Sequence, residues 1–510
     1  MSTTSSEITV VREWSPDVRH LQDVRHPPIP TTKFMLFLMC IVSVALQYVC
    51  ALEMSIIVPY LQKLGVPHKY ASMVNPTVGY YSDRCAMRLG RRRPFIILQC
   101  LVICISVMII AFSTDIGRLL GETMENHRVA TVLRIIGVLI IDCTVHTAQG
   151  TVRAMMSDFS AVSHGLDVGQ STFVVWVSIG NVLGNLEAAY GKWNRWLPFL
   201  KTMACCEACA DLKGTSITVV IFMLITTIMT VMLANEQQIS NDEVDTSSTQ
   251  TSGGFTAFMN ILKSLRDTKP EMRKLLALTA ITWLSWFPFL QYCTDWMGRE
   301  IYHGKPNGTA YEITMYNTGV REGAFGLILT SFPFGVTSFL IPTLCRKLTS
   351  KVVWTASLIS MFLIMVGMVS IGIVSTNGDI PSPSTSSIIV GPDTKTKVFV
   401  LTFFNIIVCA QVLYNVPWSV AAELAAEDGG GQGATVGVMT FVIFLSQLIV
   451  GLTAGPIDGV FHQGNAPAFG IGGIIALVCA VLVVTMLPRA GNTNGVEDTN
   501  GVAAARSEEA

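Results

Sequence analysis

The chain has 510 residues, of which 51% are hydrophobic and only 14% are charged, and its formal net charge is −1. Soluble domains carry about 25% charged residues, so this chain has too little charge to cover a water-facing surface. Its apolar residues recur in blocks of about 20, the length that crosses a hydrocarbon core. The composition therefore excludes a soluble enzyme, a nucleic-acid-binding protein and a disordered scaffold, and predicts an all-α polytopic membrane protein.

The apolar blocks fall into two groups separated by a hydrophilic stretch. The blocks of the first group lie at 33–59, 94–113, 129–149, 168–190 and 215–234. Those of the second group lie at 275–294, 319–343, 352–375, 398–422, 434–456 and 467–488. We predict five regions: a cytoplasmic polar tail at 1–32 without a cleavable signal peptide, an N-terminal helical half at 33–234, a central cytoplasmic loop at 235–274, a C-terminal helical half at 275–488 and a cytoplasmic polar tail at 489–510.

The count of five blocks and six blocks is uneven for a fold of two matching halves. Arg84, Arg88 and Arg91–Arg93 follow the first block, and four more basic residues precede it. The positive-inside rule places both groups in the cytoplasm, which requires two crossings. No stretch between Pro59 and Gly79 is apolar enough to span. Either the second helix is truncated in this sequence, or the segment is a re-entrant turn buried in protein.

The segment GYYSDRCAMRLGRRRP, residues 79–94, has the spacing Gly-x3-Asp-Arg followed by Gly-Arg-Arg. Its aspartate can pair with an arginine and with a helix N-terminus to latch the cytoplasmic side, a contact that must break during alternating access. We therefore predict a cytoplasmic gate made of Asp83, Arg84, Arg91 and Arg92. The alternative is that the arginines are only a topology anchor.

The segment DCTVHTAQGTVRAMMSD, residues 142–158, carries ionisable groups inside an apolar block. On a helix, Asp142, His146, Gln149 and Arg153 fall within about 60° of one another. An acid at such a depth is costly and is usually functional, and its carboxyl can exchange a proton near neutrality. We predict that Asp142 couples a proton and that Arg153 competes for its carboxylate. The alternative is a static Asp–Arg brace between helices, and His146 can also simply satisfy a neighbour.

The segment WLSWFPFLQYCTDWMGREIY, residues 283–302, places aromatic residues beside Asp295, Arg299 and Glu300. Aromatic faces next to hydrogen-bonding charges suit a sugar, which has apolar C–H faces and a rim of hydroxyls. The tryptophans are better explained as an interfacial belt, and Asp295 with Arg299 as a helix pair is the alternative to a binding role.

Further polar positions complete the candidate sites. Gln47 and Glu53 lie among apolar residues of the first block and are predicted to face a substrate cavity. Asn307 begins an Asn-Gly-Thr glycosylation signal in a predicted outside loop, and Cys205 and Cys209 could form a disulfide there. The sequence contains no zinc-ligand spacing and no nucleophile–base arrangement, so we expect no metal, no cofactor and no catalytic residue.

These motifs together resemble the sucrose/proton symporters of plants, and their animal sugar-transporter relatives, in the glycoside–cation symporter branch of the major facilitator superfamily. The resemblance covers roughly residues 33–488 and includes LGVPHKYAS at 64–72, GNVLGN at 180–185 and GVREGAFGL at 319–327. It implies two six-helix halves, cytoplasmic termini and proton-driven uptake of a glucoside, usually sucrose.

The resemblance also implies roles for individual residues. Asp142 matches the proton-coupling carboxylate of the family, and Arg153 matches an arginine tied to substrate transport. His68, in the first outside loop, matches a histidine associated with sugar access. Asp295, Arg299 and Glu300 match further charged positions, which we assign to substrate binding together with Gln47, Glu53, His68, His146 and Gln149.

The chain departs from the plant pattern in three places. Plant sequences are longer between Ser72 and Pro76, in the segment that supplies most of the second helix. Cys293 stands where plants have an aspartate, and Glu53 stands where they have glutamine. Glu53 and the Asp142–His146 spacing are more typical of non-plant relatives. The resemblance therefore supports proton-coupled sugar transport more strongly than it supports sucrose as the sugar.

We predict a symporter for sucrose or a related glucoside, with sugar, proton and lipid bilayer as partners and no nucleic acid; the oligomeric state is left open. The plasma membrane is the expected location, and the vacuole or another endomembrane is the alternative. Two other functions are compatible with the same residues: a transporter-like sugar sensor, or a symporter for another sugar or a polyol.

Overall fold

The computed structural model describes residues 32–52, 90–122, 128–190, 193–201, 207–234, 269–305, 308–377, 412–427, 432–460 and 464–487. These ranges are helical almost throughout. The helices of the N-terminal half are α1 Lys33–Met39, α2 Val42–Leu52, α3 Arg93–Leu119, α4 Arg128–Ser163, α5 Leu166–Tyr190, α6 Trp193–Trp196 and α7 Glu207–Leu233. Those of the C-terminal half are α8 Pro270–Trp296, α9 Ala310–Leu348, α10 Ser350–Asn377, α11 Val416–Glu427, α12 Gln432–Val460 and α13 Ala466–Met486.

Eight of the helices in the described ranges are long and apolar enough to cross a membrane. The pair α1 and α2, bent by 42° at its break, counts as a ninth span and coincides with the first predicted block. Thr32 begins this pair, because its hydroxyl accepts a hydrogen bond from Met35 N at 3.2 Å. Helix α5 has the length of a span but more polar residues, and it is outside this count. The predicted truncation of the second helix lies outside the described residues.

Helix α4 continues well beyond the predicted block 129–149, to Ser163. At 1.5 Å per residue it is about 54 Å long, considerably more than a hydrocarbon core requires. The whole segment from Asp142 to Asp158 therefore lies on one helix, and its last turns lie beside Arg91.

The buried apolar side chains form two large clusters. One is built mainly from α1–α5 and α7, and the other mainly from α8–α13. Within the clusters, α3 packs against α4, α2 against α5, α10 against α13, and α8 against α12 and α13. Among the described helices, three packing contacts join the halves: α5 packs against α9 and against α11, and α4 packs against α12. The side chains of Arg153, Ser178 and Arg346, described below, make polar contacts across this boundary.

Candidate functional site

Three side-chain amides form a hydrogen-bonded chain across α4, α2 and α5. Gln149 Nε2 donates to Gln47 Oε1 at 3.0 Å, and Gln47 Nε2 donates to Asn181 Oδ1 at 2.9 Å. All three residues are half-buried. The structure thus brings together the predicted residues Gln47 and Gln149 and adds Asn181, which no spacing within one helix could have indicated.

The predicted proton-coupling carboxylate lies on the same helix as Gln149. Asp142 is half-buried, and its Oδ1 is 3.9 Å from Nε2 of His146, one turn further along α4. Gln149 follows two turns after Asp142 on the same face. The predicted grouping of these three side chains on one face of α4 agrees with the helix that the structure shows.

Arg153 is too far from Asp142 for the direct competition that we predicted. The two positions are about 16 Å apart along the axis of α4, beyond the combined reach of the side chains. The buried Arg153 guanidinium instead donates to Gln170 Oε1 of α5 at 2.8 Å and to the carbonyl of Tyr414 at 3.3 Å. It lies between the rings of Phe173 and Trp418, at 4.1 and 4.3 Å from their centroids. In this conformation Arg153 therefore connects the two halves.

Other contacts between the halves lie at two depths. Ser178, near the middle of α5, donates a hydrogen bond to the carbonyl of Ser331, near the middle of α9. Arg346 Nη2, near the end of α9, is 3.7 Å from Asp167 Oδ2 at the start of α5. Together with Arg153, this ion pair joins the halves at the end of the molecule that carries the predicted cytoplasmic arginines.

The carboxylate that binds the predicted gate arginines is Asp158. Its Oδ2 is 2.5 Å from Arg91 Nη2 and 3.1 Å from Arg92 Nε, and the Arg92 side chain is fully buried. Sequence reasoning assigned no role to Asp158, although it ends the segment 142–158. The other two predicted gate residues, Asp83 and Arg84, lie outside the described residues.

In the C-terminal half, Asp295 is held by three partners from three helices. Its carboxylate accepts from Arg299 Nε of the same helical segment at 2.9 Å, from Tyr316 of α9 at 2.7 Å and from the Asn465 side chain at 2.8 Å. The helix pair that was the alternative to a binding role is therefore present, as part of a larger network.

Glu300 binds the first backbone amides of α13. Its Oε1 accepts from Asn465 N at 2.5 Å and from Ala466 N at 3.2 Å. A carboxylate at this point satisfies N–H groups that lack partners within the helix and interacts favourably with the helix dipole. Glu300 reaches this position from a π-helical turn, Met297–Ile301, that follows α8. Its place in the structure is that of a cap on another helix.

The remaining predicted site residues fall where the structure gives no description. Glu53, His68, Asn307 and Cys205 lie outside the described residues, and nothing is described of the side chain of Cys209.

The sequence is similar to curated plant transporters over almost its whole length. No family model matches the chain. The chain is 50% identical to sucrose transport protein SUT5 of Oryza sativa subsp. indica over 487 residues, which covers 92% of this chain and 90% of that protein. It is 40% identical to sucrose transport protein SUT1 of Oryza sativa subsp. japonica, covering 90% and 89%, and 36% identical to sucrose transport protein SUC3 of Arabidopsis thaliana, covering 89% and 87%.

Solved structures with the same arrangement of helices are transporters of the major facilitator superfamily. The proton:xylose symporter XylE, bound to 6-bromo-6-deoxy-D-glucose, superposes with a TM-score of 0.56 at 13% identity and covers 89% of this chain and 96% of its own. The transporter FucP, in its outward conformation, gives a TM-score of 0.53 at 10% identity and covers 88% and 98%. At these identities the likeness concerns the fold, and it confirms the predicted fold class. Taken with the plant relatives, it places the chain in the family of sucrose transport proteins, built on the major facilitator fold.

Proposed function

We propose that this protein is a symporter that moves sucrose together with a proton across a membrane by alternating access, with the plasma membrane as the expected location. The observation that carries the proposal is the 50% identity to a sucrose transport protein over 92% of the chain. The half-buried carboxylate of Asp142 within an apolar span supports the proton as the coupled ion.

In this mechanism Asp142 carries the proton. A carboxylate in a low-dielectric span is costly when charged, so loading the outward-facing state with a proton removes that cost. The neutral carboxyl group can also donate a hydrogen bond, which a carboxylate cannot do. His146, 3.9 Å away, supplies a second group that can share or stabilise the charge after the proton leaves.

The amide chain of Gln149, Gln47 and Asn181 supplies neutral hydrogen-bonding groups beside this acid. Amides donate and accept, as sugar hydroxyls do, so they bind a sugar without placing further charge in the span. Both helices that carry the outer members of the chain also contact the other half. Binding and release of sugar at this position can therefore be linked to movement of the halves.

The contacts between the halves supply the step that alternates. Two sets of contacts hold the predicted cytoplasmic end closed. Arg153 contacts the Tyr414 carbonyl and Trp418, and Arg346 pairs with Asp167. Opening to the cytoplasm requires these contacts to separate while the outer ends of the helices approach each other. Arg153 thus acts on the closing of the inner side rather than on the proton itself.

Uptake by purified protein in proteoliposomes tests the proposal. With an inwardly directed proton gradient, the wild type is expected to accumulate labelled sucrose above its outside concentration. Asp142→Asn keeps the shape of the side chain and removes its titration, so it should bind sucrose and equilibrate it without accumulation. Asp211→Asn, the same chemical change in α7, is the matched control and should accumulate sucrose normally.

Three outcomes would contradict the proposal in different ways. Full accumulation by Asp142→Asn would show that another group couples the proton. If the wild type binds sucrose but transports none under any gradient, the result favours the sugar sensor. If another sugar or a polyol competes for uptake better than unlabelled sucrose does, that solute is the substrate.

A further inference from the structure

We infer that Asn181 is a substrate-binding residue, and that the two ends of the chain Gln149–Gln47–Asn181 bind two hydroxyl groups of the same glycosyl ring. This inference rests on the proposed function and specifies the sugar site within it. It adds a residue that lies in GNVLGN, a segment for which the sequence offered no chemical role.

The first observation is the close approach of α5 to α2 beside Asn181. A methyl group added at Gly180 would lie 2.4 Å from the carbonyl oxygen of Val44, and one added at Gly184 would lie 2.5 Å from the Cβ of Ala51. Only glycine at these two positions permits the helices to touch through their backbones, the arrangement that small residues four apart allow in membranes. This contact brings the short side chain of Asn181 within hydrogen-bonding distance of Gln47.

The second observation is the set of hydrogen-bonding atoms that the chain leaves over. Gln149 uses its amino group on Gln47 Oε1 and Cys50 Sγ, and Gln47 uses its own on Asn181 Oδ1. Among the contacts of the described residues, Gln149 Oε1 and Asn181 Nδ2 then have no partner. Neither atom is among the fully buried polar atoms without a partner, so both retain some accessible surface.

The chain therefore ends in one free acceptor and one free donor. A sugar hydroxyl both donates and accepts, so two hydroxyls of one ring complement such a pair. Turning all three amides over would still leave one donor and one acceptor, with the ends exchanged. In the orientation that the structure shows, Asn181 is the donor end, and Asn181→Asp tests this role.

The third observation is the position of the chain in the span. Asn181 and Gln149 lie near the middle of α5 and α4, the depth at which transporters of this fold bind their substrates. Asp142 lies about 10 Å from Gln149 along α4, on the same face. A disaccharide is long enough to reach from the amide chain to the proposed proton-coupling carboxyl group of Asp142. Sugar binding at the amide chain would then be linked to the protonation of Asp142.

A purely structural network would have its polar atoms sealed by packing. An amide with unsatisfied groups inside a membrane is costly, and helix packing alone does not require the exposed donor of Asn181. The two roles can be separated by Asn181→Asp, because the carboxylate still accepts the hydrogen bond from Gln47 but has no N–H to donate.

The experiment measures the KM and the maximal rate of sucrose uptake and, independently, sucrose binding to the purified full chain. Asn181→Asp and Asn181→Ala should each raise KM and Kd about tenfold, the effect of losing a hydrogen bond of ordinary strength, with the maximal rate unchanged. Asn185→Ala is the matched control, since the Asn185 amide donates to the α5 backbone at Asn181 O, and it should leave KM unchanged.

A set of sucrose derivatives, each with one hydroxyl replaced by fluorine, identifies the contact. One derivative should bind the wild type about tenfold more weakly than sucrose, yet bind Asn181→Ala no more weakly than sucrose binds that variant. If Asn181→Asp has the KM of the wild type, or if every derivative loses equally in both proteins, Asn181 is only a packing residue and the inference is wrong.

Failure of the proposed function gives a different result. If the wild type binds sucrose without proton-driven accumulation, the coupling is wrong and the binding comparison still decides the role of Asn181. If the wild type binds another sugar instead, the same comparison is made with that sugar. If it binds none of the sugars tested, the inference falls together with the proposed function.

Discussion

The polar groups of the two halves differ in how fully they are bound by their own protein. In the C-terminal half, the Asp295 carboxylate has partners on Arg299, Tyr316 and Asn465, and Glu300 caps α13. In the N-terminal half, the amide chain of Gln47, Gln149 and Asn181 ends in groups that retain accessible surface and unused hydrogen-bonding capacity. Acids fully engaged in a network stabilise a structure, whereas groups with unused hydrogen-bonding capacity can bind a ligand.

This difference separates residues that the sequence treats alike. Asp142 and Glu300 are both acids in or next to apolar blocks, and the family resemblance assigns both to transport. The structure leaves Asp142 half-buried on α4, 3.9 Å from His146, and places Glu300 at the start of α13. We therefore expect the proton and sugar chemistry to lie mainly in the N-terminal half, with the C-terminal acids acting as positioning residues.

The largest expected effect comes from breaking the C-terminal network at Glu300. Glu300→Ala leaves the first amides of α13 without an acceptor, so it should lower the free energy of unfolding by about 2 kcal/mol and reduce transport by lowering the amount of folded protein. Glu300→Gln keeps one acceptor oxygen and should be affected less. Thermal unfolding of the purified protein and uptake per folded molecule measure both effects.

Glu271→Ala, in the first turn of α8, is the control for Glu300; it loses only the interaction of a carboxylate with the helix dipole and should lower stability by less than about 1 kcal/mol. One result would contradict a purely structural role for the acids of the C-terminal half. If Glu300→Ala unfolds at the wild-type temperature but no longer binds sucrose, Glu300 contacts the sugar and the C-terminal acids are part of the binding site.

A smaller effect is expected where the halves meet, at Trp418. Trp418→Ala removes one of the two rings that enclose the Arg153 guanidinium, an interaction worth about 1–2 kcal/mol when desolvated. The closed state of the cytoplasmic end should lose about tenfold in population relative to the open state. Spin labels on the cytoplasmic ends of α5 and α9 would report this as a shift to longer distances.

Trp418→Phe retains an aromatic face and is the control for this measurement. If the distances are the same in Trp418→Ala and in the wild type, the contact of Arg153 with Trp418 does not hold the halves together.

The sequence predicted the helices well because the bilayer sets both the length of the apolar blocks and the placement of the basic residues that flank them. It also placed Asp142, His146 and Gln149 on one face, since a helical period is a property of neighbouring positions. It could not pair Glu300 with Asn465, or Arg153 with Trp418, because these contacts join helices that are far apart in the chain. For the same reason the role of Asp158 was missed, although both it and Arg91 lay in segments that drew attention.

The second signal available in the sequence was the glycine pair in GNVLGN. Gly180 and Gly184 have the spacing of a close helix contact, which could have directed attention to the polar residue between them. The identity of the partner helix, however, is set by the packing of α2 and α5. Spacing thus indicates that a residue is held near another helix, and the tertiary structure is needed to say which side chain it meets.

The smallest expected effect tests whether the outer part of the C-terminal half is closed. His303 lies between the π-helical turn and α9 with a left-handed backbone at φ 53°, and its Nε2 is 3.4 Å from Ser375 Oγ, whose hydroxyl also donates to the Glu300 carbonyl. Burial lowers the pKa of this imidazole, because the charged ring loses hydration. As the pH falls below about 6.5, the unfolded chain takes up a proton before the folded protein does, so stability decreases until the folded ring is protonated too. His303→Gln should remove this part of the pH dependence, and thermal unfolding of the two proteins between about pH 5 and 7.5 would show the difference.

Ser375→Ala is the control, because it keeps the imidazole and should retain the pH dependence of stability. If His303→Gln and the wild type lose stability in parallel on acidification, the imidazole is open to water. The polar groups at this end of the C-terminal half are then not closed off from solvent in the way that the difference between the halves requires.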